Sequence, residues 1–309
     1  TTTAVAYCSV HKASADAFFA EAMKRNMCMV GGKVMMDRNA PQGLLDTQQM
    51  GYDETRAVIE EWHGKGRNHV AITPRFAITS TPGQMKAAQA LAEEFPDLFI
   101  QTHLSENHDE IRYTCELYPE ATDYTDIYAR YGLLGKKTLL GHAIHLSERE
   151  IDALSEAGAV AVHCPTSNLF LGSGLFPMKQ LMRREKPLRV SVATDIGGGS
   201  SYSMLRTMDE AYKIQQLLGE RLNPLESFYL MTRGNAEALS MEGDIGTLDI
   251  GSTADLVVLD AAPTPAMKLR METIRTLPEE LFLLQTMGDD RAVVETYVAG
   301  KPMKSGLSL

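Results

Sequence analysis

Seven short apolar runs, each followed by a polar or helical stretch, recur at fairly even spacing through roughly the first 240 residues. This alternation constrains the fold more than any other feature. Strands separated by a helix-sized crossover pair in parallel and bury both faces, so the chain reads as α/β. The runs are Ala4–Ser9, Met27–Met36, Val70–Thr73, Leu98–Thr102, Thr138–Gly141, Ala159–Val162 and Arg189–Ala193. Helical patterns lie near Ala13–Arg25, Asp53–Gly64, Gly83–Phe95 and Asp109–Leu117. Ser147-Glu148-Arg149-Glu150 is a capping-box signature that opens another helix.

Seven such units are one short of an eight-stranded (β/α)8, TIM-type barrel. Their period puts the missing strand before Thr1, and the chain opens Thr1-Thr2-Thr3 without a methionine. The expectation is a barrel incomplete at its N-terminus, with strands 2–8 visible. After Leu239 the pattern changes. Gly246–Ile250, Ala254–Asp260 and Ala292–Val298 read as short strands, with a helix over Leu277–Met287. The expected organisation is therefore a barrel domain at 1–240 and a small β-rich segment at 241–309.

The chemistry-bearing residues sit where these runs end. His103, His142, His163 and Asp195 close the fourth to seventh runs. In barrel enzymes that strand end holds the active site. Neutral imidazoles with a carboxylate suit a catalytic zinc that keeps a position open for water. A single strand-end histidine would be read as a structural hydrogen-bonder, but several on successive strands argue for a metal. Glu106, three residues beyond His103, is spaced to exchange a proton with an activated water. Arg75-Phe76 end the third run, and a guanidinium fork beside an aromatic ring suits a planar heterocycle carrying a carbonyl and a ring nitrogen. The same fork would reject an amino group in the carbonyl's place.

Other polar groups carry plainer expectations. Cys164-Pro165-Thr166-Ser167-Asn168 with Leu171-Gly172-Ser173-Gly174 reads as a turn-rich loop. Lys33 and Asp37-Arg38-Asn39 read as solvated loop residues, and the roles of Lys33, His163 and Asn168 stay open. His145 reads as structural, and His11, His63, His69 and His108 belong to no constellation.

The formal charge of -10 argues against nucleic acid or an anionic membrane as a partner. Four cysteines without paired spacing read as free thiols of a reducing compartment. No apolar run approaches the ~20 residues that span a bilayer, and no charged-then-apolar leader opens the chain. The expected location is the cytoplasm.

Taken in order, TPRF at 73–76, THLSE at 102–106, GHAIHLS at 141–147, HCPTSNLFLGSG at 163–174 and TDIGGGSSYSML at 194–205 resemble the guanine deaminase family. That family belongs to the amidohydrolase superfamily. The tail GTLDIGSTADLVVLD at 246–260 is similar to the superfamily's C-terminal β segment. The resemblance implies a (β/α)8 barrel with one zinc, a homodimer, and hydrolytic deamination of guanine to xanthine and ammonia. It implies His103, His142 and Asp195 as zinc ligands, Glu106 as proton shuttle, Asp195 as acceptor of the water's second proton, and Arg75 and Phe76 as the grip on the base.

The family also carries a His-x-His pair at the end of its first barrel strand, and this sequence has none. The corresponding expectation is a sequence that begins inside the family's domain, with the activity of the chain as it stands in question. Two alternatives stay open: an amidohydrolase acting on another amino-heterocycle, and a catalytically silent barrel serving as a scaffold.

Overall fold

The strands form where the apolar runs predict them, and their burial shows why. The computed structural model describes residues 1–304. These form two compact units, one spanning Thr3–Ala161 and one made of Thr1–Thr2 and the chain from Val162 onward. In the first unit, strands β1 (Thr3–Tyr7), β2 (Cys28–Gly32), β3 (Val34–Met35), β4 (Asn68–Pro74), β5 (Phe99–Leu104) and β6 (Thr138–His142) alternate with helices, and β7 (Val160–His163) begins in it and ends in the second. The helices are α1 (Lys12–Lys24), α2 (Gln48–Trp62), α3 (Pro82–Glu94), α4 (His108–Leu117), α5 (Tyr124–Arg130) and α6 (Glu148–Ala157). Along β4, Val70, Ala71 and Ile72 are all fully buried, as expected of a parallel strand covered on both faces. Helices turn small or apolar faces inward: Ala15 and Phe19 on α1, Met85, Ala88 and Leu91 on α3.

The strand order is β1-β2-β4-β5-β6-β7, with β3 also on β4. Every registered pairing in this unit is parallel, from Thr3↔Cys28 between β1 and β2 to Leu104↔His142 between β5 and β6. Parallel pairing brings all the C-terminal strand ends to one edge of the sheet. Tyr7 lies opposite Gly32, and Leu104 opposite His142.

The run Met27–Met36, expected as one strand, is interrupted at Lys33, although its register on β4 is unchanged (Gly31↔Val70, Val34↔Thr73). A Cβ on Gly32 would run into the Ala71 carbonyl and the Thr73 hydroxyl, so the backbone must be bare there. Lys33 then turns wholly inward to pair with Asp46 at 2.6 Å. It is not a solvated loop residue.

The capping box at Ser147 forms as expected. Its hydroxyl accepts from Glu150 N at 3.4 Å, and Glu150 Oε2 accepts from Ser147 N at 2.9 Å. The other Glu150 oxygen accepts from Thr125 N and Oγ1, which fastens α5 to α6. Ser147→Ala is expected to lower stability by about 1 kcal/mol, seen as a lower urea midpoint with unchanged slope. A loss below about 0.3 kcal/mol would mean that Glu150 alone holds this helix end.

The second unit holds α7 (Pro165–Phe170), α8 (Met178–Met182), β8 (Arg189–Val192), α9 (Met204–Leu217), α10 (Pro224–Tyr229) and α11 (Asn235–Ala238). It continues with β9 (Leu256–Leu259), α12 (Pro265–Met271), α13 (Leu277–Met287), β10 (Val293–Val298) and β11 (Lys301–Pro302). The stretch expected as a turn-rich loop after Cys164 is helical, since Pro165 sits at the first helical position, where its missing N–H costs nothing. The expected helix over Leu277–Met287 is present, and β9, β10 and β11 make a small antiparallel sheet. Gly246–Ile250, expected as a strand, is a turn. Thr247 Oγ1 donates to the Asp249 carboxylate and accepts from Asp249 N, so side chains supply the bonds a ladder would have made. Leu205, Met267, Leu283, Leu284 and Ala292 close a local core over the small sheet. No helix among the described residues is long and apolar enough to cross a membrane.

Candidate active site

Five of the residues singled out from the sequence meet at the C-terminal edge of the first unit's sheet. Arg75 and Phe76 follow β4, His103 lies in β5, Glu106 follows β5 and His142 ends β6. The His103 and His142 rings stack at 5.5 Å, and Glu106 Oε2 lies 3.6 Å from His142 Nε2. The Phe76 ring lies 5.6 Å from His103, and the Arg75 guanidinium sits 4.8 Å over Phe76. Tyr7, which sequence reading passed over, brings its ring to 5.0 Å from His103. A cavity of about 530 Å³ opens beside this group, lined by Phe76, Ile78, Glu106, Asn107, Arg112 and Tyr113 among others.

The tautomer of His103 follows from its partner. Nδ1 lies 2.7 Å from the Arg75 carbonyl oxygen, which only accepts, so Nδ1 carries the proton and Nε2 keeps its lone pair. Burial, with the neighbouring His142 adding to it, lowers the His103 pKa to about 3. A neutral imidazole, oriented by a carbonyl on its far nitrogen, is the form in which histidine binds a metal. With the His142 ring stacked on it and the Glu106 carboxylate beside them, the pair has the donor chemistry of a divalent zinc site. The residues of this unit fit that group.

The backbone around these side chains is strained. Ser105, His142 and Ala143 adopt left-handed φ values of 47°, 69° and 48°. Each costs a non-glycine residue roughly 1–2 kcal/mol, and such outliers gather at functional sites. The two turns brace each other: Ala143 N donates to Leu104 O, and Ile144 N and His145 N donate to Ser105 O.

Glu106 stands just outside α4, where Asn107 is the N-cap. The helix-end role that a glutamate here would ordinarily fill belongs instead to Glu110. Its Oε2 accepts from Glu106 N at 2.7 Å and Asn107 N at 3.1 Å. Burial raises the Glu110 pKa, and the Glu106 charge adds to that.

In the second unit, Asp195 follows β8 with a left-handed φ of 47°. The Asn235 amide pairs with both N–H and C=O of Val192, standing in for a neighbouring strand and fixing the end of β8. The Cys164 thiol and an Asp195 carboxylate oxygen come within 4.8 Å of each other, a donor pair that sequence reading, which took Cys164 as a free thiol and the start of a turn-rich loop, did not find. His163 is buried with its ring stacked on Phe176 at 4.7 Å, and Asn168 is buried within α7.

One further expectation fails in part here. Asp37 and Arg38 are half-buried rather than a solvated loop, and they and the exposed Asn39 bond through their side chains to the segment just after Arg75-Phe76. The His108 ring lies 4.0 Å from that of His145, tilted at 38° to it. Tyr128 also went unmarked. Its hydroxyl accepts from Ala77 N and Thr102 Oγ1 and donates to the His103 carbonyl.

The chain matches the amidohydrolase family over residues 1–303. It is 48% identical to guanine deaminase of Escherichia coli (strain K12), over 97% of this chain and 68% of that protein. The solved structure of E. coli guanine deaminase superposes with a TM-score of 0.96 at 48% identity, covering 98% of this chain and 71% of the other. Guanine deaminase from C. acetobutylicum, solved with guanine bound in its active site, superposes with a TM-score of 0.87 at 29% identity, covering 98% and 72%.

Proposed function

The chain belongs to the amidohydrolase family, among its guanine deaminases, and from that premise we propose how its residues divide the hydrolysis of guanine to xanthine and ammonia. The gathering of Arg75, Phe76, His103, Glu106 and His142 along one sheet edge carries the reading. Amidohydrolases generally use a divalent metal, and we assign zinc, one per chain. His103, His142 and Asp195 are its ligands among these 309 residues, and the sequence contains no His-x-His to add to them. When bound, zinc supplies Lewis acidity and a water activated near neutral pH.

The remaining work falls to side chains. Phe76 stacks on the purine, and the Arg75 fork donates to its carbonyl and adjacent ring nitrogen. Glu106 takes a proton from the attacking water at its carboxylate. It gives one to the ring nitrogen beside the amino-bearing carbon, and then serves the departing amine. Asp195 accepts the second proton of the water. Water adds to the carbon, and its second proton, taken by Asp195 from the new hydroxyl, passes on to the amine, so the C–N bond breaks as the carbonyl forms and ammonia leaves. The assembly is proposed as a cytoplasmic homodimer, which its four free cysteines and acidic surface suit. Residues 241–309 are read as the superfamily's C-terminal β segment.

Arg75→Ala is the direct test. Losing charged hydrogen bonds to a buried carbonyl costs about 1.5–3 kcal/mol, so KM for guanine is expected to rise roughly 10- to 150-fold. Arg75→Lys is expected to restore little, because an ammonium cannot reproduce the planar fork. A substrate panel of guanine, adenine, cytosine and an aminotriazine completes it, and preference for any of the last three would overturn the assignment.

A further inference from the structure

The residues that follow β4 face an unusual task. Arg75 and Phe76 open a short irregular segment that must hold two side chains against a planar ligand. The segment's own bonds are few: Thr79 N and Thr79 Oγ1 to Phe76 O at 3.1 and 3.2 Å, and Ser80 N to Ala77 O at 3.3 Å. Most of its remaining polar groups are met by a second stretch about forty residues earlier. Met35 O accepts from Arg75 N at 3.2 Å, while Asp37 N and Arg38 N both donate to Thr79 O, at 2.9 and 3.2 Å. The Asp37 carboxylate takes Thr81 N at 2.7 Å and Thr81 Oγ1 at 2.5 Å. Asn39 Nδ2 donates to Ile78 O at 2.9 Å.

At the centre lies the Arg38 fork. Its Nη2 donates to Ala77 O at 2.9 Å and its Nε to Ile78 O at 3.1 Å, so one guanidinium spans two consecutive carbonyls. The same group rests 5.1 Å over the Tyr118 ring, whose hydroxyl bonds to Ser80 O. On another side of the segment, Tyr128 takes the Ala77 N–H at 3.1 Å. Phe76 and its neighbours are thereby fixed from two directions.

We propose that Arg38 is a positioning residue for purine recognition: by gripping the carbonyls of Ala77 and Ile78 it sets the direction of Arg75 and Phe76 before substrate arrives. The inference rests on the reading of Arg75 and Phe76 as the grip on the base. Its physical content is preorganisation. A segment already ordered loses little freedom on binding, so the whole interaction appears as affinity. Without the fork, the Ala77 carbonyl keeps only Ser80 N and the Ile78 carbonyl only Asn39 Nδ2 among these donors, and the more loosely held segment samples other conformations, from which each binding event must recruit the competent one. Arg38 touches neither His103 nor Glu106, so the chemical step is left alone.

The test compares Arg38→Ala, Arg38→Lys and Arg75→Ala in the full-length protein by steady-state kinetics on guanine, with zinc content measured on each sample. Arg38→Ala is expected to raise KM about tenfold while kcat stays within about twofold and zinc content is unchanged. Arg38→Lys is expected to behave like the alanine variant, because a point-like ammonium cannot span two carbonyls. An unchanged KM in Arg38→Ala, a fall in kcat alone, or rescue by lysine would each overturn the proposal. The parent reading is judged separately: if Arg75→Ala itself leaves KM unchanged, the grip on the base is misassigned. If Arg75→Ala raises KM and Arg38→Ala does not, only the Arg38 proposal falls. Should Arg38→Ala fail to fold, Asn39→Ala removes a single bond to Ile78 O. A KM increase of about twofold without loss of kcat then sustains the proposal, and no increase overturns it.

Discussion

Glu106→Gln is expected to lower kcat on guanine by about 10²–10⁴, the range found when a general acid–base is removed. Glutamine keeps the size and polarity of the side chain but cannot take up a proton and give it back. The substitution is well suited to isolate that function. Glu106 lies outside α4, whose cap is built from Asn107 and Glu110, so the helix keeps its N-terminal bonds. The Glu106 amide stays with the Glu110 carboxylate, because that bond uses the backbone. KM and zinc content are therefore expected to remain near the wild-type values while kcat collapses. Steady-state kinetics with elemental analysis on the same sample checks this, and a variant retaining more than about a fifth of wild-type kcat would remove Glu106 from the proton path.

The second large effect is on stability. Lys33→Met is expected to cost about 3–5 kcal/mol at pH 8, because it strands a buried carboxylate without its cation. Lys33 is fully buried, with Nζ 2.6 Å from Asp46 Oδ2 and 3.8 Å from Glu54 Oε2. Burial already raises the Asp46 pKa, and Lys33 is the main influence opposing that rise. Without Lys33 the folded-state pKa of Asp46 climbs further above its unfolded value. A group shifted upward stabilises the fold when protonated, and that contribution is lost as pH rises through the folded pKa. The penalty in Lys33→Met is thus smaller in mildly acidic solution than at pH 8. Urea midpoints at the two pH values measure it. Adding Asp46→Asn should recover much of the loss, since a neutral pair of similar volume has no stranded charge. A loss at pH 8 below about 1 kcal/mol would show that Asp46 finds another partner or water.

These two residues mark what can and cannot be read from a linear sequence. Glu106 was legible because the apolar run before it announces a strand and parallel strands end on a common edge. His103, His142 and Arg75-Phe76 were legible on the same logic. The capping box at Ser147 was legible because both partners lie within one turn. Lys33 was not: a lysine in a loop defaults to solvent, and its partner Asp46 sits thirteen residues away in a stretch with no periodicity. Arg38 was hidden for a related reason. Its partners are backbone carbonyls thirty-nine and forty residues on, which no pattern of side chains reports. The helices at Pro165–Phe170 and Tyr124–Arg130 are too short for helical period to separate them from a loop. At Gly246–Ile250 the alternation of side chains suggested a strand, but the Thr247–Asp249 bonds won locally.

The carboxylate of Glu110 does two things at once: it closes the first turn of α4 and holds the amide of Glu106. The backbone that carries the side chain proposed to transfer the proton therefore moves on the clock of a helix end. Unwinding of the first turn releases its amide to water, and helix–coil relaxation runs on the order of 0.1–1 μs. A carboxylate on a free loop would wander through many orientations within a single turnover, whereas the backbone beneath this one returns to the same anchor after each excursion.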